Sequence, residues 1–194
     1  MMSSRHNDPE GALLDAARAS LLAVGWRRTT LTDVARRAGV SRMTIYRKWP
    51  DMRTLLADLM TREWSAVFAG AALSEGATPL ERLATGVART VGALRDNELF
   101  RKIVDVDPEL LLPYLLDRRG RTQDSVLELT QSVILEGQKG KSIRTGEPAL
   151  LARTVLLAAH GFALSAATMT ESSGPTVPQF DAELRTMVER YLAP

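Results

Sequence analysis

Cysteine is absent from all 194 residues, which excludes a disulfide framework and any thiolate metal site. Histidine is almost as scarce. His6 and His160 stand far apart with no clustered carboxylates beside them, so no metal centre is expected. No stretch reaches the unbroken apolar run of about 18 residues that a spanning helix needs, and no membrane partner is expected. The opening MMSSRHNDPE is polar and lacks the apolar core of an export signal; the expected location is cytoplasmic. Also missing are a Gly-rich phosphate loop, a nucleophile motif and metalloprotease spacing, so neither an enzyme nor a cofactor is expected. Internal repeats and low-complexity segments are absent too.

What is present is an uneven charge. Residues 1–55 hold ten basic and five acidic side chains, a net +5, whereas the other 139 hold 15 basic and 18 acidic, a net −3. A basic end on an acidic body suits a polyanion partner. A solvated basic face accounts for the charge equally well.

The periodicity is helical throughout, with no strand-like alternation between hairpin signals. A first helix is expected over 9–24, with Leu14, Ala17, Leu21 and Val24 on one face and Gly25 ending it. Thr30 caps a short second helix, with Asp33 in capping-box position. Gly39-Val40 is a turn, and Ser41 caps a third helix from Arg42 to Lys48 that Trp49-Pro50 stops. Asp51 caps a fourth helix running past Trp64. Thr78-Pro79-Leu80-Glu81 opens another with a capping box. A helix is expected to open at Asp107-Pro108 and to kink at Pro113, with Asp105 and Asp107 explained by capping. Later helices cover 120–138 and the stretch from Pro148 to Met169, which is apolar nearly all round. The last carries Phe180, Leu184, Met187, Val188 and Tyr191. The best domain boundary lies near Pro50, dividing the chain into 9–50 and 51–194.

The segment 30–49, TLTDVARRAGVSRMTIYRKW, carries the functional signal. Two short helices joined at Gly39 make a helix-turn-helix pattern. Val34, Ala35, Val40 and Ile45 face inward, leaving Arg42, Met43, Thr44, Tyr46, Arg47 and Lys48 outward. Arg and Lys neutralise phosphates and pair with guanine edges. Thr reads bases or a thymine methyl, and a Tyr hydroxyl holds a phosphate. Thr30 joins these as a candidate DNA contact. On spacing alone, a helical hairpin with a solvated basic face remains open.

Residues 13–55 resemble the N-terminal domain of TetR/AcrR-family regulators. The matching features are the alanine-rich core of the first helix, Gly25-Trp26, Thr29-Thr30, Val34-Ala35, Ala38-Gly39-Val40-Ser41, Thr44-Ile45-Tyr46 and the closing Trp49. Two positions depart: Met52 replaces a phosphate-contacting lysine common in the family, and Lys48 replaces its usual His or Tyr. The resemblance implies an all-α fold, with a three-helix helix-turn-helix domain plus a larger helical ligand-binding and dimerisation domain. It implies a sequence-specific regulator of a palindromic double-stranded DNA operator, acting as a repressor released by a small, mostly apolar effector. A ligand-free activator or architectural protein, or a non-DNA interaction module, is the alternative. The resemblance further implies a homodimer through the last two helices and an inducer cavity among the middle ones. Trp64, Phe68, Phe100 and Tyr114 are the candidate ligand contacts, and His160 is expected to be a packed or interface residue.

Overall fold

A computed structural model describes residues 9–72 and 76–194, and helices with no strand make up the described chain. His6 lies outside the described residues. Helix α1 spans Pro9–Val24 and buries Leu13, Leu14, Ala17 and Leu21. Val24, expected on that face, is 48% exposed, because the helix ends there and Gly25 turns the chain away in the left-handed region (φ 79°). Helix α2 is Leu31–Ala38, α3 is Arg42–Lys48 and α4 is Met52–Ala72. The remaining helices are α5 (Pro79–Asp96), α6 (Glu98–Val106), α7 (Arg121–Lys139), α8 (Pro148–Ser165) and α9 (Val177–Leu192).

The starts follow local chemistry. At α5 the Glu81 N–H donates to the Thr78 hydroxyl (3.2 Å) and the Glu81 carboxylate accepts from the Thr78 N–H (3.2 Å). At α4 the Asp51 carboxylate accepts from the Thr54 N–H (2.8 Å) and the Thr54 hydroxyl (2.9 Å). Those bonds hold its pKa below the usual carboxylate value.

Packing divides the chain into two compact units. The first runs to Glu63 and takes in Glu98–Leu116; the second comprises Trp64–Asn97 and Asp117–Pro194. The first unit therefore extends beyond residue 50 and includes α6. Arg18 on α1 bridges to Glu63 on α4 (3.1 Å) and Glu98 on α6 (3.3 Å). The second unit is built on α5, which packs against α7, α8 and α9. Leu83, Ala84, Ile134, Leu151, Val155 and Leu184 are among its core residues. The Arg95 guanidinium, mostly buried, adds an ion pair from α5 to Asp181 on α9. The stretch Pro148–Met169 is apolar enough (mean hydropathy 1.5) and long enough to cross a membrane. One side of it, Leu151, Ala152, Val155 and Ala163, lies in this core. Another side exposes Leu150, Leu157 and Met169.

The helix expected to open at Asp107-Pro108 and bend at Pro113 is not formed. A single 3-10 turn, Pro108–Leu110, is followed by a π-helical turn at Pro113–Asp117. Each proline lacks the N–H that would continue a helical ladder. Asp107 does not cap its own turn. Instead its carboxylate accepts the Trp26 backbone N–H (2.7 Å) across 81 residues of sequence, and the residue is 3% exposed. Nearby, Arg27 pairs with Glu109 (2.9 Å). The turn after α1 is thus tied to the end of α6 inside one unit. Gly25 is required there twice over: its φ is positive, and an added Cβ would sit 3.1 Å from Asp107 Oδ2.

Asp107→Ala leaves the Trp26 N–H without its acceptor and is expected to cost about 1–3 kcal/mol, read from urea unfolding. Asp107→Asn keeps a carbonyl acceptor and should recover part of that loss. Wild-type stability in the alanine variant would show that the bond carries no weight.

Candidate nucleic-acid interface

Helix α2 begins where Thr30 accepts the Asp33 N–H (3.2 Å) and donates its hydroxyl to the Asp33 carboxylate (2.6 Å). That hydroxyl bond is the main reason the Asp33 pKa is lowered. The helix ends at Gly39 in the left-handed conformation (φ 69°, ψ 26°). The Val40 N–H reaches the Ala35 carbonyl (3.0 Å) and the Gly39 N–H reaches Arg36 (3.2 Å), the double bond pattern of a Schellman turn. No heavy atom lies within 4 Å of a Cβ built on Gly39, so backbone conformation alone calls for glycine here.

Ser41 then caps α3 by accepting the Thr44 N–H (3.2 Å). The inward side of α3 is small and fully buried: Ile45 is 0% exposed, as are Trp49 just after the helix and Val34 on α2. The Trp49 indole N–H donates to Asp58 on α4 (2.8 Å), which fixes the exit of α3 against α4.

The outward side carries the side chains singled out by the sequence. Arg42, Met43, Tyr46, Arg47 and Lys48 are exposed, Met43 most of all at 77%. Arg42 and Arg47 make no ion pair with any described residue. Three members are already engaged. The Thr44 hydroxyl shares a hydrogen bond with Ser41 (2.9 Å), and the Thr30 hydroxyl serves the α2 cap. Lys48 pairs with Glu10 at the start of α1 (2.7 Å) and lies 6.0 Å from the Trp49 ring centroid. The Glu10 contact was missed in the sequence because 38 residues separate the pair. Met52, where the family often has lysine, is half-buried at the start of α4, and Arg53 is exposed.

The second unit contains a cavity of about 180 Å³ walled by α4, α5, α7 and α8. Phe68 lines it; Trp64, Phe100 and Tyr114 do not. Phe100 is buried within the first unit on α6, and Tyr114 lies half-buried in the π-helical turn. Most of the wall is aliphatic, with Val87 and Val91 on α5 and Val126 and Val133 on α7. Four- and seven-residue spacing on single helices was the available signal. His160 sits on α8, and burial pushes its pKa below 6.5. Its Nε2 is 3.3 Å from Gln123 Nε2. The Gln123 carbonyl already accepts the Gly120 N–H (2.8 Å), so its amide group donates toward a neutral imidazole whose proton is on Nδ1.

A short, capped helix held by a buried hydrophobic pair and presenting two arginines that pair with no described residue is a helix-turn-helix reading surface. Residues 13–59 match the profile of the bacterial regulatory proteins of the tetR family. Over 165 residues, 85% of each chain, the sequence is 33% identical to an uncharacterised HTH-type transcriptional regulator of Mycobacterium bovis. Among solved structures, a protein of unknown function from Rhodococcus sp. RHA1 superposes over 100% of both chains (TM-score 0.74, 20% identity). The regulator FadR of Bacillus subtilis, solved with stearoyl-CoA, does so over 92% of this chain and 96% of its own (TM-score 0.67, 15% identity). The chain belongs to the TetR family and is a DNA-binding transcriptional regulator.

Proposed function

We propose that this chain is a homodimeric repressor that holds a palindromic operator through α3 and lets go when a small, mostly apolar effector enters the second unit. The observation that carries the DNA half is the outward face of α3. Arg42, Thr44 and Arg47 read base edges, while Tyr46, Lys48 and Thr30 serve the phosphates. Its place of action is the cytoplasm.

Dimerisation is supported by the apolar side of α8 that its own unit leaves open, including Leu150 and Leu157 at 60% and 71% exposure, with Met187 on α9 at 41%. A two-fold axis then sets the two copies of α3 at half-sites one helical turn apart, about 34–36 Å, or a multiple of it.

Release follows a population shift: effector and operator favour different conformers. Helix α4 is the connection. Three residues separate it from the end of α3, its first part belongs to the first unit, and its last part carries Phe68 of the cavity wall. A regulator of this fold solved with stearoyl-CoA and the aliphatic wall both support an apolar effector. Coupling is reciprocal, so saturating operator is expected to weaken effector binding by the same factor by which effector weakens operator. A compound whose binding leaves operator affinity unchanged is no effector.

Two sets of variants test the surfaces. Lys48→Ala should weaken specific and unrelated duplexes alike and lower the slope of log affinity against log salt by about one. Glu10→Gln removes the carboxylate that competes with phosphate for Lys48, so it should tighten both kinds of duplex. If both variants match wild type in a salt titration, Lys48 makes no phosphate contact. Leu157→Glu puts a charge on the α8 face. Sedimentation should then show monomer and operator affinity should fall at least tenfold; an unaltered dimer rejects that interface.

A further inference from the structure

The cavity in the second unit has one feature that its aliphatic wall does not account for. Thr130 on α7 lines it and is only 8% exposed, yet its hydroxyl makes no hydrogen bond with any described residue. Three other helical threonines, Thr61, Thr154 and Thr186, donate their hydroxyls to the carbonyl four residues back at 2.7–3.0 Å. Thr130 forgoes that bond. No side-chain polar atom among the described residues is both sealed and unpaired, so the Thr130 oxygen, though without a described partner, is not sealed off. Thr90 on α5, also on the wall, is likewise unpaired. A ligand oxygen placed here would give the Thr130 hydroxyl the hydrogen bond that no described residue supplies.

Charge is catered for differently. Among the described residues lining the cavity Arg82 is the one ionisable residue, and its guanidinium pairs with Glu136 (2.7 Å). Both lie toward solvent, at 36% and 59% side-chain exposure. A ligand carboxylate set among the valines and leucines would be buried unpaired, which is prohibitive; only one that displaced Glu136 toward solvent would meet Arg82. Size sets a further bound. At about 180 Å³ the cavity is only a little larger than the roughly 150 Å³ that admits benzene.

We propose that this cavity takes an uncharged, mostly hydrocarbon ligand of about seven to nine heavy atoms carrying one hydrogen-bonding oxygen, which the Thr130 hydroxyl meets. The proposal rests on the effector reading for its biological role and on Thr130 for its chemistry, and the two are tested separately.

Acetophenone, ethylbenzene and benzoate are near-equal in size and differ in one respect each: a neutral oxygen, none, or a charge. Calorimetric titration of the full chain is expected to rank acetophenone about three- to tenfold above ethylbenzene, the worth of one neutral hydrogen bond, with benzoate weaker than both. Thr130→Val should bring the first ratio to about one while leaving ethylbenzene within about twofold, which also shows that the variant folds. Thr130→Ser should restore the preference. A preference that survives Thr130→Val, benzoate binding as tightly as acetophenone, or no acetophenone binding at millimolar concentration overturns the proposal. Operator release by the same compounds is read separately. Binding that depends on Thr130 without release upholds the ligand class and removes the effector role. Release that is indifferent to Thr130 does the reverse.

Discussion

A seven-residue helix has almost no stability of its own in water, so the outward face of α3 depends on what holds its inward face. Two side chains do most of this. Ile45 and Trp49 are completely buried, and each contributes on the order of 1.5–3 kcal/mol by leaving water. The Ser41 cap and the Trp49–Asp58 bond add about 1 kcal/mol apiece. Packing therefore holds α3 in place, while the cap fixes where it starts and Gly39 fixes the angle at which it leaves α2. Everything proposed for Arg42, Arg47 and Tyr46 inherits its geometry from that arrangement.

The same face shows why charge count and binding capacity are different things. Among the described residues Arg42 and Arg47 have no ion-pair partner, whereas Lys48 is held by Glu10. Both members of that pair are about half exposed, and an exposed pair is worth only about 0–1 kcal/mol. A phosphate can displace Glu10 at little cost. Alpha-1 therefore contributes more than its buried leucines to the reading surface: it supplies a mobile counter-charge for one of its cations.

In the second unit, core and cavity are neighbouring outcomes of one packing problem. Leu83, Val91 and Val155 belong both to the buried core and to the cavity wall. Where leucines and isoleucines meet, as at Ile134, Leu151 and Leu184, the space between helices is filled. Where α5 and α7 present Val87, Val91, Val126 and Val133, the short branched side chains leave volume over, and Thr130 stands on the same wall. The cavity thus has a composition as well as a shape: among the described residues, hydrocarbon on most sides, two threonines, and one ionisable residue, Arg82, toward solvent.

Much of this was legible locally. The Thr30, Ser41, Asp51 and Thr78 caps, the Gly39 turn and the inward Ile45 each depend on residues within five positions of one another, and helical periodicity carries the burial pattern. The helical class and the two short helices with their outward basic side chains followed from those signals; reading them as a DNA-binding helix-turn-helix domain took the family resemblance as well. Tertiary structure decided what requires distant residues to meet. Asp107 reads as a helix cap in sequence, but Trp26 offers it a buried N–H, and a 2.7 Å bond to that donor outweighs capping a turn that proline already limits. Aromatics mid-chain suggested the cavity wall, yet Phe100 fills the first unit's core, and the wall is mostly valine. Periodicity tells which side of a helix turns inward; whether that inside is filled depends on the summed volumes of three or four helices at once, which no single stretch of sequence contains.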